Sequence, residues 1–61
     1  MKVRVVVCQN ERGHYLTMCP EFDVVRCSGT PQKAVELIKK TIESMLYDDP
    51  EPIEYEIVFL E

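Results

Sequence analysis

The sequence predicts an α+β domain with element order β-β-β-α-β, built on one four-stranded mixed sheet. Apolar residues alternate with a period of two before residue 29 and after residue 52, as in strands, and with a period near 3.6 between them, as in a helix. The chain has 61 residues, of which 46% are hydrophobic and 30% charged. This size and composition are typical of a single small globular domain, here predicted to span residues 1–61.

The first strand, residues 1–8 (MKVRVVVC), is predicted to lie in the middle of the sheet. Val3, Val5 and Val7 point to one face. The other face of this strand is also partly apolar, which is typical of a strand with neighbours on both sides.

Two turns separate the next two strands. Residues 9–13 (QNERG) end on Gly13, which can adopt the positive φ that hairpin loops often need. HYLTMC is then the second strand, which stops at Pro20 because proline donates no hydrogen bond to a ladder. After the turn PEFD, residues 24–28 (VVRCS) form a short third strand.

The step Gly29-Thr30-Pro31 marks the change from strand to helix. Thr30 can cap a helix through its hydroxyl, and Pro31 suits the first helical position, where no amide hydrogen is needed. A phosphate-binding loop is the alternative, but such loops use several glycines, and Pro31 removes a donor. A structural corner is therefore favoured, with a helical pattern over residues 32–48. The predicted buried stripe consists of Ala34, Leu37, Ile38, Thr41, Ile42, Met45 and Leu46.

Residues 53–60 (IEYEIVFL) are predicted to form the last strand. Because the helix connects the third and fourth strands, these two should be parallel, with a right-handed crossover. The fourth strand is expected beside the first, which gives the spatial order 3-2-1-4. One helix covers only one face of such a sheet, so apolar residues on the other face require a second copy or a partner protein.

Acidic residues are concentrated near the C-terminal end. Residues 1–47 hold seven basic and five acidic residues, whereas residues 48–61 hold six acidic and no basic residues. This balance argues against nucleic-acid binding by the chain alone and favours a basic protein partner. Solubility of a small domain is the alternative explanation. The six acidic residues are Asp48, Asp49, Glu51, Glu54, Glu56 and Glu61.

Three cysteines and one histidine raise the question of a metal or redox site. If the first loop spans residues 9–13, His14 pairs with Cys8 and lies diagonal to Cys27, so a Cys-His-Cys site is conceivable. It lacks the close-spaced ligand pairs of structural zinc, and small apolar cysteines, Cys19 included, are favoured. No cofactor is expected, and no set of residues indicates a nucleophile or an acid/base pair.

The same cysteines bear on the cellular setting. Three cysteines cannot all pair within one chain, and no CxxC motif is present. Free thiols and the lack of a cleavable apolar leader favour a reduced, cytoplasmic setting. No apolar run approaches the length of about 20 residues that a membrane span needs, so no membrane association is expected.

Residues 15–44 resemble the HicB family of antitoxins, in which a Pro-Glu-Leu turn, a short strand, a Gly-x-Thr-Pro corner and an alanine-containing helix follow one another. In this sequence Gly29 precedes Thr30 directly, without the intervening residue. The resemblance implies a partly degenerate ribonuclease-H-like fold without catalytic carboxylates. It also implies binding of a small basic HicA-type toxin ribonuclease, whose active histidine would be masked. The matching positions are Pro20, Glu21, Phe22, Gly29, Thr30, Pro31 and Ala34.

The sequence therefore predicts a non-enzymatic antitoxin-type protein that occludes a basic toxin. Its six C-terminal acidic residues are the expected contacts. Many HicB proteins carry an additional DNA-binding domain, and this chain ends at Glu61, so DNA binding by this chain alone is not expected. A stand-alone homo-oligomeric module of the same fold is the alternative, and a homodimer or higher oligomer is expected in either case.

Overall fold

The computed structural model, which describes residues 1–48 and 52–60, confirms the predicted α+β fold. The four strands form one sheet in the order β3-β2-β1-β4. β1 is antiparallel to β2 and parallel to β4, and β2 is antiparallel to β3, so β3 and β4 are parallel as expected. The elements are β1 (Lys2–Gln9), β2 (Tyr15–Cys19), β3 (Val24–Ser28), α1 (Pro31–Met45) and β4 (Glu54–Phe59).

The core lies between α1 and one face of the sheet. The central strand β1 contributes three valines, and the helix contributes three side chains four residues apart. Residues that are four apart fall on one side of a helix, so they pack together against the strands. The fully buried apolar residues are Val3, Val5, Val7, Cys19, Ala34, Ile38 and Ile42.

Thr17 is the buried polar residue of this core, and it joins the sheet to the helix. Its hydroxyl oxygen lies 3.1 Å from the carbonyl oxygen of Ala34 and 3.4 Å from that of Arg26. The helix comes this close to β2 because Ala34 has only a methyl side chain. A small residue in the helix and a short hydroxyl in the strand are thus matched across the interface.

The predicted helical stripe is wrong at its margins. Leu37 is 37% exposed and Met45 is 52% exposed, whereas Val35, placed outside the predicted stripe, packs against the core. The reason is the position of the helix, whose backbone lies close to β3, β2 and β1 and farther from β4. The flank that carries Val35 therefore faces the β4 side of the sheet, and the flank that carries Leu37 faces solvent.

The helix also ends earlier than the pattern predicts. It stops at Met45 rather than continuing to Asp48, and Leu46 is its C-cap. The amide of Tyr47 donates to the carbonyl of Ser44, three residues earlier, which tightens the chain into a turn.

The first hairpin has a different register from the predicted one. Gln9 pairs with Tyr15, and the Asn10 amide donates to the His14 carbonyl, so the loop is only three residues long. The Asn10 side-chain oxygen accepts hydrogen bonds from the Arg12 and His14 amides, each at 3.0 Å. Gly13 closes the loop with φ of 86°, which is the positive angle expected at this position.

Candidate protein-binding surfaces

The corner at Gly29-Thr30-Pro31 is a helix cap, as predicted. Thr30 has extended backbone angles, and its hydroxyl accepts a hydrogen bond from the Lys33 amide at 3.2 Å. The Thr30 carbonyl accepts the first helical hydrogen bond, from Ala34. Two of the groups that could bind an anion here are thus absent or used, because Pro31 has no amide hydrogen and the Lys33 amide is capped.

The turn at Pro20 and Glu21 also has a structural role. One carboxylate oxygen of Glu21 accepts a hydrogen bond from the Arg4 amide at 3.2 Å, and the other lies 3.7 Å from the Cys19 sulfur. Hydrogen bonds from its own amide and from the Arg4 amide lower the pKa of Glu21. The turn itself needs Asp23 at φ of 53°, a conformation that aspartate tolerates better than most residues.

Burial has the opposite effect on the neighbouring thiol. Cys19 is fully buried beneath the helix, and burial raises its pKa. A thiol that stays protonated is a poor nucleophile and a poor metal ligand. Cys19 is therefore a core residue, in agreement with the interpretation of the cysteines as small apolar side chains.

The Cys8-His14-Cys27 cluster, which the sequence made conceivable but did not favour, does not form. The prediction assumed that His14 pairs with Cys8, but Cys8 pairs with Leu16, and Leu16 in turn pairs with Cys27. Leu16 therefore separates the two thiols, and His14 lies in the exposed hairpin. Among residues 1–48 and 52–60, no group of three or more His, Cys, Asp or Glu side chains is arranged to hold a metal ion.

The acidic residues expected to contact a partner are distributed over several places. Asp48 is exposed in the turn after α1, and Glu54 and Glu56 lie on β4. Asp49, Glu51 and Glu61 lie outside the described residues.

Glu54 and Glu56 have basic neighbours on β1. Glu54 lies opposite Lys2 in the register. The carboxylate of Glu56 is 3.6 Å from Lys2 Nζ and 3.9 Å from Arg4 Nε. The described part of β4 is therefore not a uniformly acidic stripe, because basic side chains from β1 lie beside it.

β4 is an edge strand with an exposed apolar end. The amide of Glu54 donates to the Met1 carbonyl and that of Leu60 to the Val7 carbonyl, and alternate residues of a strand direct their backbone groups to opposite sides. The amides and carbonyls of Tyr55, Ile57 and Phe59 therefore point away from the sheet. The side chain of Phe59 is 66% exposed and that of Leu60 is 54% exposed.

A groove of about 450 Å³ runs beside this edge, between α1 and β4. It exists because α1 lies over the β2 and β3 half of the sheet and leaves the β4 half less covered. Lys39 crosses one end of the gap, with its Nζ 4.9 Å from the centre of the Tyr55 ring. The groove is lined by Pro31, Gln32, Val35, Glu36, Lys39, Ile57 and Phe59.

The opposite β3 edge is better protected. Arg26 on β3 donates from Nε to the Thr41 hydroxyl and from a terminal nitrogen to the Val25 carbonyl. A charged side chain bonded across to the helix hinders the approach of another strand, as charged residues at sheet edges commonly do. Of the two edges, β4 is therefore the better template for an added strand.

The second face of the sheet, here called the open face, is not covered by α1. Side chains that pair directly across neighbouring strands share a face, so the pairing identifies the residues of the open face. These residues form an apolar half and a charged half. The charged half contains Lys2, Arg4, Glu54 and Glu56, and the apolar half contains Val6, Cys8, Leu16, Met18, Val25, Cys27 and Val58.

Among the described residues, the helix of this chain is too short and too polar to cross a membrane. Comparison with protein-family models, with curated proteins and with solved structures finds no match.

Proposed function

We propose that this chain is a non-enzymatic, cytoplasmic protein-binding module of the antitoxin type, which occludes a small basic toxin ribonuclease such as a HicA-type protein. The observation that carries the proposal is the unprotected β4 edge. Its outward backbone groups can accept a strand from a partner, and the exposed Phe59 and Leu60 side chains provide apolar contacts beside them.

The groove adds a second contact next to the same edge. A strand paired with β4 would direct alternate side chains to the helix side, towards Val35 and Ile57 on the groove wall. The remaining side chains would point to the open-face side, near Glu54 and Glu56. Basic residues at those positions of the partner would face carboxylates, whereas acidic residues would be repelled.

Toxin binding is tested with the purified chain as bait in a lysate of its native cells. We expect a small basic protein to co-purify at low salt and to be lost as salt is raised, since charge pairs near a surface are screened. Mass spectrometry identifies that protein. Its ribonuclease activity is then measured with and without added bait. A ribonuclease activity that the bait does not inhibit contradicts the proposal.

Two pairs of variants locate the contact. Phe59→Pro removes an outward amide without removing a hydrogen bond to β1, so it should block strand addition. Phe59→Ala keeps that amide and removes only the side chain, which makes it the matched control. Glu54→Lys should weaken binding and reduce its dependence on salt, whereas Glu11→Lys in the exposed hairpin makes the same charge change away from β4. Equal binding by all four variants would place the contact elsewhere.

The alternative is a stand-alone homo-oligomeric module without a toxin partner. The observation that favours it is the apolar half of the open face, which α1 leaves uncovered. Recovery of this chain alone from the lysate, in a defined oligomer, would support the alternative and contradict toxin binding.

A further inference from the structure

We infer that the apolar half of the open face is the interface of a two-fold symmetric homodimer, in which two sheets stack face to face. This half consists of two adjacent rows that run across three strands. One row is Val6, Met18 and Val25, extended onto β4 by Val58, and the next is Cys8, Leu16 and Cys27. The inference does not depend on toxin binding, which we assign to the β4 edge.

The first argument is the continuity of the apolar surface. The residues of each row are direct partners in the sheet, and the rows follow one another along the same strands. Val25 is 51% exposed at the end of its row, and Cys27 is exposed at the end of the other. An uninterrupted apolar area on one side of a small domain is typical of a surface that is covered in the assembled protein.

The second argument is charge, and it identifies a second copy as the occupant. The whole chain has a formal net charge of −4, so two copies repel each other over most of their surfaces. The open face is an exception, because its two basic and two acidic side chains, Lys2, Arg4, Glu54 and Glu56, balance. A second copy therefore meets no net repulsion when it approaches this face.

The third argument is size. A chain of 61 residues buries only about 60% of the surface that it exposes when unfolded, so its core is small. Small domains commonly gain stability through self-association.

The asymmetry of the open face restricts the geometry. A two-fold axis that runs across the strands, through the apolar half, stacks the apolar half of one copy on that of the other. The charged halves then project at opposite ends of the interface and remain in water. This arrangement gives an apolar centre with a polar rim, which is the usual anatomy of an interface, at the spacing of about 10 Å between stacked sheets.

The native cysteines report which face is covered. Cys8 and Cys27 lie on the open face, and Cys19 lies under the helix. The reduced protein is labelled with N-ethylmaleimide at concentrations from low micromolar to millimolar, and the rate at each cysteine is read by mass spectrometry. Sedimentation equilibrium gives the fraction of dimer in the same samples. Labelling of Cys8 should slow in proportion to that fraction, and labelling of Cys19 should stay slow throughout.

A charge-matched pair of variants tests the same interface. Met18→Lys places a cation in the middle of the apolar half in both copies and should make the protein monomeric. Met45→Lys makes the same change on the exposed end of α1 and should leave the dimer intact. Circular dichroism verifies that both variants fold. If Met18→Lys fails to fold, the cysteine labelling of the unmodified protein decides whether the open face is covered.

Three results overturn the inference. The first is a monomer at every concentration. The second is a dimer in which Cys8 is labelled as fast as in dilute protein. The third is a folded Met18→Lys variant that dimerises as well as Met45→Lys does. None of these results bears on the β4 edge, so the toxin-binding proposal stands or fails separately.

Discussion

The two faces of the sheet are built from the same strands but differ in what covers them. On the helix side of β1, Val3, Val5 and Val7 are at most 1% exposed. On the open side of the same strand, Val6 and Cys8 are only half-buried, by neighbours in the plane of the sheet. The contrast shows that strand pairing covers part of an apolar side chain, and that complete burial requires a second layer.

The two faces also differ in how they use polar residues. The helix side tolerates Thr17, which is fully buried, because its hydroxyl has a carbonyl partner in α1. The open side carries charged residues in its uncovered half, where water solvates them. The Tyr55 hydroxyl on the same helix side is buried without a hydrogen-bond partner among the described residues, and such burial costs free energy that a solvated group on the open side does not incur.

The largest expected effect comes from a pair of truncations, one on each side. Ile38→Ala removes a fully buried helix side chain and should lower the free energy of unfolding by about 2–5 kcal/mol, because it leaves a cavity. Met18→Ala removes a half-buried side chain of the open face, where solvent fills the space, and should cost about 1 kcal/mol or less. Urea denaturation at low micromolar protein concentration measures both.

If both truncations lower the free energy of unfolding equally, the two faces do not differ in coverage as described. A second series of measurements at high protein concentration tests the difference further. If the open face is covered by a second copy there, the cost of Met18→Ala should increase with concentration, since dimerisation adds to apparent stability. The cost of Ile38→Ala should not depend on concentration in this way.

A smaller effect is expected at the buried polar residue. Thr17→Val keeps the shape of the side chain and makes it more apolar, but it removes the hydroxyl that lies 3.1 Å from the Ala34 carbonyl. We expect a loss of about 1 kcal/mol in the free energy of unfolding, the usual net contribution of one hydrogen bond. Thermal and urea denaturation should agree in sign, and a gain in stability would show that the hydroxyl contributes nothing.

The smallest expected effect is a dependence of stability on pH, caused by Glu21 in the turn between β2 and β3. Hydrogen bonds lower the pKa of Glu21 from its ordinary value of 4.5. Its contribution to stability is therefore fully present above pH 4.5 and is lost as the pH falls through the lowered pKa of the folded state. Glu21→Gln should be less stable than the unmodified protein near neutral pH, and this difference should shrink in acid.

Urea denaturation across the acidic range measures this difference in stability. Glu11→Gln removes the same charge in the hairpin loop, where the carboxylate makes no hydrogen bond to any described residue, and serves as the control. A difference for Glu21→Gln that stays constant with pH would show that the bond to the Arg4 amide does not stabilise the folded state.

Sequence reasoning located the elements and the corner well because their signals are local. The alternation of Val3, Val5 and Val7 is a property of one strand, and the cap at Thr30 involves only residues up to Ala34. Both were predicted and are confirmed. The predicted order of strands is confirmed as well. It could be predicted because β1, β2 and β3 pair in succession, which leaves only one side of β1 free for β4.

Sequence reasoning was wrong at the helix flanks, where the result depends on contacts between elements, and at the first hairpin, where a local signal was missed. The shift of the hairpin register follows from the Asn10 side chain, which bonds the Arg12 and His14 amides and shortens the loop. That register separates Cys8 from His14. An asparagine three residues before a glycine is a signal that could have indicated the shorter loop.

By itself, the sequence determined the kinds of element, their order and the place where strand changes to helix, because periodicity, capping and proline act over a few neighbouring residues. Only the tertiary structure decided which flank of α1 is buried, since that depends on where the helix rests on the sheet. It also decided that Lys2 and Arg4 lie beside the acidic residues of β4. Those two strands are adjacent in space but distant in the chain, and their pairing alone creates the balanced charge of the open face.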